Sequence, residues 1–451
     1  MPDHNSTGRI SVGRLHQGQL RAYQALLPHR FKALRCGRRF GKTELAMSWI
    51  AQGLLQGQHC AWFAPQHMMW SEVFMELNRR LAALVDAAPK GVLRLRTGGR
   101  LDFWSLENPI AGRSRGYHRV VIDEAAFAKD GDVKTDGSMM DMWERAIKPT
   151  LFDYGGEALV CSNSAGKNPN NYFYNICNDA KFKFREFHAT TADNPLLPKQ
   201  RRNETPEAWL KRREEYLAEL KEGNDPRVFA QEYMAEFVDW AGAAFFSREK
   251  LLDHGKPVPY PMTCDAVFAV IDTASKTGTD NDGTAVSFFS FDKHAEYMPL
   301  RILDWDIVQI EGATLEVWLP QVLARVEQLA AECRARGGSL GAFIEDQNSG
   351  TILLQQALNK RLRVTPIKSK LTAMGKDERA MSVSTYVHRG MVKYTAHAFE
   401  KTVIYKGNSR NHLLDQVEGF RMGDKKSDRE DDLLDTFAYG IALSLGNSEG
   451  F

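Results

Sequence analysis

Residues 35–44 read RCGRRFGKTE, which places two glycines, a lysine and a hydroxyl side chain in one short turn. A turn that binds nucleotide phosphates needs glycine backbone whose N–H groups approach phosphate oxygens, a lysine for the terminal phosphates, and a Ser or Thr for magnesium. Gly41, Lys42 and Thr43 supply the second half of that pattern. The first half departs from it, because Cys36 stands where the opening glycine is expected. The alternative interpretation is a basic surface turn before a helix.

The segments on either side of the turn favour the phosphate interpretation. Residues 31–34 (FKAL) can form an incoming strand, and residues 44–50 (ELAMSWI) continue as an amphipathic helix. The N-terminus of that helix would face the phosphates, where unpaired N–H groups and the helix dipole favour anions. The sequence therefore predicts an ATP site with magnesium.

A glutamine upstream of the turn is a candidate for adenine recognition. Residues 15–27 have the apolar spacing of a helix, and Gln19 lies on it. Its side-chain amide offers the donor and the acceptor that an adenine edge requires. Gln17 or Gln24 could serve equally, and a plain surface glutamine is a further alternative.

Two acids follow a second apolar segment. Residues 119–122 (RVVI) have the composition of a buried strand, and Asp123 and Glu124 come directly after them. The carboxyl ends of parallel strands are where α/β sheets bind ligands. We therefore predict that Asp123 holds magnesium through water and that Glu124 polarises the attacking water as general base. Adjacent acids after a strand also occur as helix caps.

Hydrolysis of a triphosphate also needs positive charge at the γ-phosphate, because charge spreads over its equatorial oxygens in the transition state. Arg38 and Arg39 lie within the turn and can act in cis. Arg113 and Arg115 lie between glycines on a flexible turn, from which a neighbouring subunit could receive one of them. A solvated basic loop is the alternative for this second pair.

Length and composition favour two domains. A chain of 451 residues exceeds what one hydrophobic core normally organises. We predict an ATPase domain over 1–238, with a small helical subdomain at about 167–238, then a Gly- and Pro-containing linker over 239–261 and a second domain over 262–451. The six cysteines are scattered, and no apolar run approaches the roughly 20 residues of a membrane helix. We therefore expect a soluble intracellular protein without a membrane partner.

Acids also end apolar segments in the second domain. Residues 266–272 (AVFAVID) and 340–346 (LGAFIED) read as strands with acidic ends, and residues 430–435 (EDDLLD) begin the last helix. Oxygen-rich sites suit Mg²⁺ or Mn²⁺. Two such ions about 4 Å apart would activate a water and stabilise the leaving oxygen of a phosphodiester. Caps or surface charges are the alternative for each acid singly.

The charge distribution indicates a polyanionic substrate. Net charge is only +2, yet residues 361–429 contain fifteen Lys or Arg and seven Asp or Glu. A cationic surface beside a metal cluster fits a nucleic acid whose phosphates are neutralised by Lys and Arg. A solvated basic face is the alternative.

The order of these features resembles that of the large terminase subunits of tailed bacteriophages and related viruses, the motor and nuclease that packages double-stranded DNA. The resemblance extends over nearly the whole chain. The arginine-bearing phosphate turn is similar to that family's own variant. The motifs that carry the resemblance are Gly37–Thr43, Val121–Ala125, Asp272, Ile344–Gly350 and Asp431–Asp435.

The resemblance implies a fold and a set of site residues. The fold is α/β, with an N-terminal P-loop ATPase domain of the RecA-like, ASCE type, its small helical subdomain, and a C-terminal RNase H-like nuclease domain. The implied residues that bind ATP and its magnesium are Gly37, Arg39, Gly41, Lys42, Thr43, Asp123 and Gln19. The implied catalytic residues are Glu124, Arg38 acting in cis, and an arginine acting in trans, which is Arg113 or else Arg115. The implied nuclease residues are Asp272, Glu345 and Asp432 for two Mg²⁺ or Mn²⁺ ions, with Asp431, Asp346, Asp282 or Asp435 as possible supplements.

The resemblance also implies an assembly. It comprises a homo-oligomeric ring, expected to be a pentamer, docked on a portal protein, with a small terminase subunit presenting double-stranded DNA. The implied location is the host cytoplasm, with transient docking on the procapsid and no place in the mature virion. Two other hypotheses remain: an ATP-dependent helicase or remodeller whose second domain only grips nucleic acid, and a structural assembly subunit with a dead ATPase.

Overall fold

The computed structural model describes residues 13–131, 134–240, 245–273, 283–309, 312–346, 349–372, 374–422 and 430–446. The chain divides into two compact units. The first comprises residues 1–221 and 226–239, and the second comprises residues 222–225 and 240–451. Each unit is built on its own β-sheet.

The first unit alternates strands and helices. Its helices are α1 (Gln17–Leu26), α2 (Lys42–Leu55), α3 (His67–Arg80), α4 (Met139–Met142), α5 (Tyr172–Asn178), α6 (Pro206–Glu222) and α7 (Pro226–Glu232). Its strands are β1 (Phe31–Cys36), β2 (His59–Ala64), β3 (Val85–Ala87), β4 (Val92–Leu95), β5 (Arg100–Ser105), β6 (Arg119–Asp123), β7 (Glu157–Ser162) and β8 (Arg185–Ala189).

The sheet of the first unit has the order β3-β4-β5-β2-β6-β7-β1-β8. The pairings from β5 to β8 are parallel, and β3-β4-β5 forms an antiparallel edge. β-branched Val120, Val121 and Ile122 are fully buried, as expected of a central strand covered on both faces. One strand, β7, separates β1 from β6, so the ends of all three strands meet at one edge. The parallel α/β sheet predicted from the sequence is present.

The second unit is built on a mixed sheet. Its helices are α8 (Arg248–Leu251), α9 (Gly312–Glu332), α10 (Ser349–Asn359), α11 (Ser369–Thr372), α12 (Lys376–His388), α13 (Ala396–Glu400), α14 (His412–Gly419) and α15 (Asp432–Ser444). Its strands are β9 (Ala266–Asp272), β10 (Thr284–Phe291), β11 (Leu300–Val308), β12 (Ser339–Ile344), β13 (Val364–Pro366), β14 (Val392–Tyr394), β15 (Val403–Tyr405) and β16 (Asn408–Arg410).

This second sheet has the order β13-β12-β9-β10-β11-β14, and β15-β16 form a separate hairpin. Strands β9, β10 and β11 are antiparallel neighbours, whereas β12 runs parallel to β9. α15 packs against β9 and β10. Val267 to Ile271 are fully buried, so the sheet core extends up to the acid at the end of β9.

Two stretches near the unit boundary hold more structure than the sequence indicated. The predicted helical stretch 167–238 contains α6 and α7, but also β8, which pairs with β1 in the sheet. Within the predicted linker, Phe246 is buried against Phe420 and Phe437 of the second unit. Aromatic burial therefore ties the end of this stretch to the second core. No helix in the described ranges is long and apolar enough to cross a membrane.

A buried ion network surrounds Asp304 on β11. Its carboxylate accepts hydrogen bonds from Arg325 Nε at 2.9 Å and from Lys401 Nζ at 2.8 Å. Burial alone would raise the pKa of Asp304, but Lys401 and Arg325 outweigh burial and lower it. Because the pKa is lowered on folding, the carboxylate stabilises the fold above the unfolded Asp pKa of about 3.9. That contribution is lost as pH falls through the folded-state pKa.

We expect Asp304→Ala to lower the free energy of unfolding of the second unit by about 3 kcal/mol at pH 7, because two cations lose their buried partner. Urea denaturation of both proteins measures the difference. It should shrink as the pH is lowered toward 3, since protonation removes the same charge in the wild type. A difference that stays constant over this pH range would contradict the assignment.

Candidate functional site

The phosphate turn of the first unit connects β1 to α2. Gly41, its last residue, has φ of 97°, a left-handed conformation that favours glycine. Lys42 is buried, and its Nζ lies 3.3 Å from the Cys36 carbonyl oxygen and 3.8 Å from Glu124 Oε1. Burial would lower the pKa of this ammonium, but the carboxylates of Glu124 and Asp123 outweigh burial and raise it. The ammonium is therefore held charged at the turn.

Thr43 and Asp123 meet where magnesium is predicted. Thr43 Oγ1 donates a hydrogen bond to Asp123 Oδ2 at 3.3 Å, although the residues are 80 positions apart. The other oxygen, Oδ1, accepts hydrogen bonds from the Glu124 backbone N–H at 3.1 Å and from the Cys161 thiol at 3.2 Å. Burial and the adjacent Glu124 raise the pKa of Asp123 to about 7. A buried carboxylate so disfavoured as an anion suits a position beside a divalent cation.

Glu124 has a backbone conformation that is uncommon outside glycine. Its φ is 51° and its ψ is 42°, so it turns left-handed directly after β6. Ser162 Oγ, at the end of β7, donates to Glu124 Oε2 at 3.2 Å. The turn and this hydrogen bond together aim the carboxylate toward Lys42.

Glu232 on α7 was missed by sequence reasoning. Its carboxylate accepts hydrogen bonds from Arg38 Nε and from Asn163 Nδ2, the latter at 3.1 Å, and only 3% of the residue is exposed. The backbone N–H of Arg38 also donates to the Glu232 carbonyl at 2.8 Å. Burial would lower the pKa of Arg38, but Glu232 raises it. Glu232 thus joins the phosphate turn, α7 and the end of β7.

Other missed residues fix the backbone of the turn. Thr191 Oγ1 donates to the Arg38 carbonyl at 2.7 Å, and Asn194 Nδ2 donates to the Arg39 carbonyl at 2.7 Å. Gly37 lies so close that an added Cβ would be 2.7 Å from Thr191 Oγ1. These two side chains lie 153 and 155 positions from the carbonyls that they bind. They belong to no motif, so no signal in the sequence identified them.

The predicted adenine-reading glutamine also contacts the turn. Gln19 is buried, its Nε2 donates to the Gly41 carbonyl at 2.8 Å, and its Oε1 accepts from the His16 backbone N–H at 2.9 Å. Its adenine role stays a prediction. Arg113 and Arg115, the candidate trans arginines, are both exposed. Exposure is compatible with donation to a neighbouring subunit, which also stays a prediction.

In the second unit, three of the predicted acids come from separate elements. Asp272 ends β9, and Glu345 follows β12, whose Ile344 pairs with Ile271 in the parallel register. Parallel pairing therefore places Glu345 beside Asp272 at one edge of the sheet. Asp432 begins α15, and its Oδ2 accepts from the Gly283 N–H at 3.2 Å.

These acids perturb one another electrostatically. Burial raises the pKa of Asp272 well above its ordinary range, and the carboxylates of Asp435, Glu345 and Asp432 raise it further. In the described ranges, no three His, Cys, Asp or Glu side chains already form a metal-binding group. The raised pKa of Asp272 is compatible with the absence of a preformed metal-binding group among the described residues. Carboxylates that affect one another's pKa also repel one another when no cation lies between them, so they need not have the geometry of metal ligands.

The remaining candidate acids have other partners. Asp435 accepts a hydrogen bond from Arg379 Nη1, and Asp431 forms an ion pair with Lys376. Asp346 is exposed, and its Oδ1 accepts from Thr351 Oγ1 at 2.8 Å. Asp282 lies outside the described residues. The structure thus groups Asp272, Glu345, Asp432 and Asp435, and it turns Asp346 to solvent.

Known proteins were compared with this sequence and fold. No family model matches the sequence. A large terminase subunit of Thermus virus P23-45 is 23% identical over 325 residues, which span 67% of this chain and 54% of that protein. The large terminase of a thermophilic bacteriophage is similar in fold at 12% identity. Its ADP complex has a TM-score of 0.67, and the match covers 96% of this chain and 100% of that one. Its ATPγS complex has a TM-score of 0.63, and the match covers 95% of this chain and 99% of that one.

The match to the curated relative therefore spans about half of that protein's length. The fold agrees over almost the entire chain with that of the bacteriophage large terminase, and the α/β fold class predicted from the sequence is confirmed. The predicted resemblance of this chain to the large terminase subunits of tailed bacteriophages is likewise confirmed.

Proposed function

We propose that this chain hydrolyses ATP in its first unit to move double-stranded DNA, and cuts that DNA in its second unit with divalent metal ions. The observation that carries the proposal is the contact of Lys42 and Thr43 with the acidic pair Asp123 and Glu124, which come from a different strand. The terminase of the thermophilic bacteriophage has structures in complex with ADP and with ATPγS, which supports a nucleotide site in this fold.

The first unit has the groups that phosphoryl transfer requires. The N–H groups at the start of α2 and the Lys42 ammonium neutralise the terminal phosphates. Thr43 and Asp123 would hold Mg²⁺, and their hydroxyl and carboxylate oxygens are the ligands that this ion prefers. An ion held by Thr43 and Asp123 would supply positive charge that offsets the charge of the phosphates. Glu124 takes the proton of the attacking water, and Arg38 supplies positive charge in cis.

The acids of the second unit fit a metal-dependent hydrolysis. Asp272, Glu345 and Asp432 offer only oxygen donors, and their mutually repelling carboxylates would be stabilised by Mg²⁺ or Mn²⁺. Ions held by these carboxylates would supply Lewis-acid chemistry for a hydrolytic cut of a phosphodiester. Exposed Arg361, Arg363 and Lys368 of the same unit are candidates to neutralise DNA phosphates.

The proposal includes partners. Double-stranded DNA, a portal protein and a small terminase subunit are the proposed partners, in a homo-oligomeric ring of five docked on a procapsid in the host cytoplasm. The exposed Arg113, or Arg115, would complete the ATPase site of a neighbouring subunit. An arginine given in trans raises the rate only on assembly, so a low ATPase rate is expected of the isolated chain.

Incubation of the purified chain with supercoiled plasmid and Mn²⁺ tests the nuclease half. We expect linear and nicked product that requires Mn²⁺ and disappears with EDTA. DNA that is bound but left intact across a full titration of Mg²⁺ and Mn²⁺ would instead support the helicase or remodeller hypothesis, in which the second unit only grips nucleic acid.

A further inference from the structure

An arginine on α12 lies inside the acidic site of the second unit. Arg379 is 5% exposed. Its Nη1 donates to Asp435 Oδ1, its Nη2 donates to the Met374 carbonyl at 3.0 Å, and its guanidinium lies 4.1 Å from the centroid of the Tyr439 ring. The guanidinium is therefore fixed from three sides. A fixed cation holds its carboxylate partner in one orientation.

The second member of the network is Tyr439 on α15. Its hydroxyl donates to Glu345 Oε1 at 3.0 Å. Asp435 and Tyr439 are four residues apart on one helix, so they lie on the same face, one turn apart. The ring thus stacks under the guanidinium that binds Asp435, while its hydroxyl reaches the acid that follows β12. One chain of contacts runs from Arg379 through Tyr439 to Glu345.

We propose that Arg379 and Tyr439 are positioning residues of the nuclease. Tyr439 holds Glu345 through Oε1 and leaves Oε2 for the metal, and Arg379 holds Tyr439 and keeps Asp435 out of the ligand set. Lys376 does the same for Asp431, with which it pairs. The ligands are then Asp272, Glu345 and Asp432, one from each element. This inference rests on the proposed nuclease function.

Hydrogen-bond partners of metal ligands commonly affect metal affinity by about 10- to 100-fold. Tyr439→Phe removes only the hydroxyl and keeps the ring under Arg379. We expect it to weaken Mn²⁺ binding by about tenfold. Isothermal titration calorimetry without nucleotide measures the affinity. The binding heat that is present in the wild type and absent in Asp272→Asn identifies the nuclease site. Plasmid cutting should need correspondingly more Mn²⁺ and approach the wild-type rate at saturation. The thermal unfolding midpoint should stay at the wild-type value.

Tyr394→Phe is the matched control. Tyr394 is a fully buried tyrosine on β14, three strands from β9, and its hydroxyl has no hydrogen-bond partner in the described part of the chain. This variant should bind Mn²⁺ as the wild type does. Arg379→Lys keeps the charge but loses the ring stacking and the planar fork, and should weaken Mn²⁺ binding in the same direction as Tyr439→Phe.

The outcomes separate this inference from the function on which it rests. Wild-type Mn²⁺ affinity in both Tyr439→Phe and Arg379→Lys, with cutting intact, would overturn the positioning role and leave the nuclease standing. A wild-type chain that neither binds Mn²⁺ nor cuts DNA would overturn the nuclease function, and the positioning role with it.

Discussion

Replacing Glu124 with glutamine is expected to lower kcat for ATP hydrolysis by about 10²- to 10⁴-fold, the usual contribution of a general base. Glutamine keeps the size of the side chain and can still contact Ser162, but it cannot accept a proton from water. Lys42 and Thr43 are unchanged, so ATP should still bind. Steady-state phosphate release in the presence of DNA measures the first effect, and a fluorescent ATP analogue measures the second.

The control for this substitution is Glu207→Gln, which changes an exposed glutamate on α6 of the same unit. It should hydrolyse ATP at the wild-type rate. Equal turnover by the wild type and Glu124→Gln, with DNA present and both proteins binding the analogue, would show that Glu124 is not the base. Background turnover in both proteins, with DNA and the proposed partners present, would favour the hypothesis of an assembly subunit with a dead ATPase.

Asp272→Asn is expected to reduce plasmid cutting by at least about 10²-fold, because a metal ligand is replaced by an uncharged amide. The pKa of Asp272 is raised by burial and by neighbouring acids, so its charge opposes folding at neutral pH. Removing that charge should therefore leave the thermal unfolding midpoint at or above the wild-type value. ATP hydrolysis, which we assign to the other unit, should be retained.

Asp253→Asn provides the comparison, because Asp253 belongs to the second unit but pairs with His254 outside the acidic cluster. This variant should cut as the wild type does. Undiminished cutting by Asp272→Asn would place the nuclease centre elsewhere. Loss of cutting together with a large fall in the unfolding midpoint would indicate that Asp272 is structural.

The contacts between distant strands could be predicted because each acid ends an apolar segment. Asp123 and Asp272 both follow runs of buried β-branched residues, and parallel strand ends must meet at one sheet edge. The phosphate turn was equally accessible, since the spacing of Lys42 and Thr43 is local. These features depend on residue types that lie within a few positions of one another, and a single sequence shows such local patterns directly.

Partners on remote helices could not be predicted. Glu232 lies in a strongly charged helical stretch in which nothing distinguishes it from its neighbours, and only folding brings it to Arg38. For the same reason, the sequence left open which of the acids at the start of α15 bind metal besides Asp432. Lys376 and Arg379, which lie 55 and 56 residues before their partners, pair with two of them. The sequence had assigned these two cations to a DNA-binding face.

If one chain contains two separate sites, a phosphate site in the first unit and a metal site in the second, both sites should bind manganese. Anomalous diffraction at the manganese edge, from crystals grown with ATPγS and Mn²⁺, measures this. We expect density for Mn²⁺ at Thr43 and Asp123 beside the nucleotide, and among Asp272, Glu345 and Asp432. Manganese bound only at the nucleotide, with those three carboxylates unliganded, would exclude the second site.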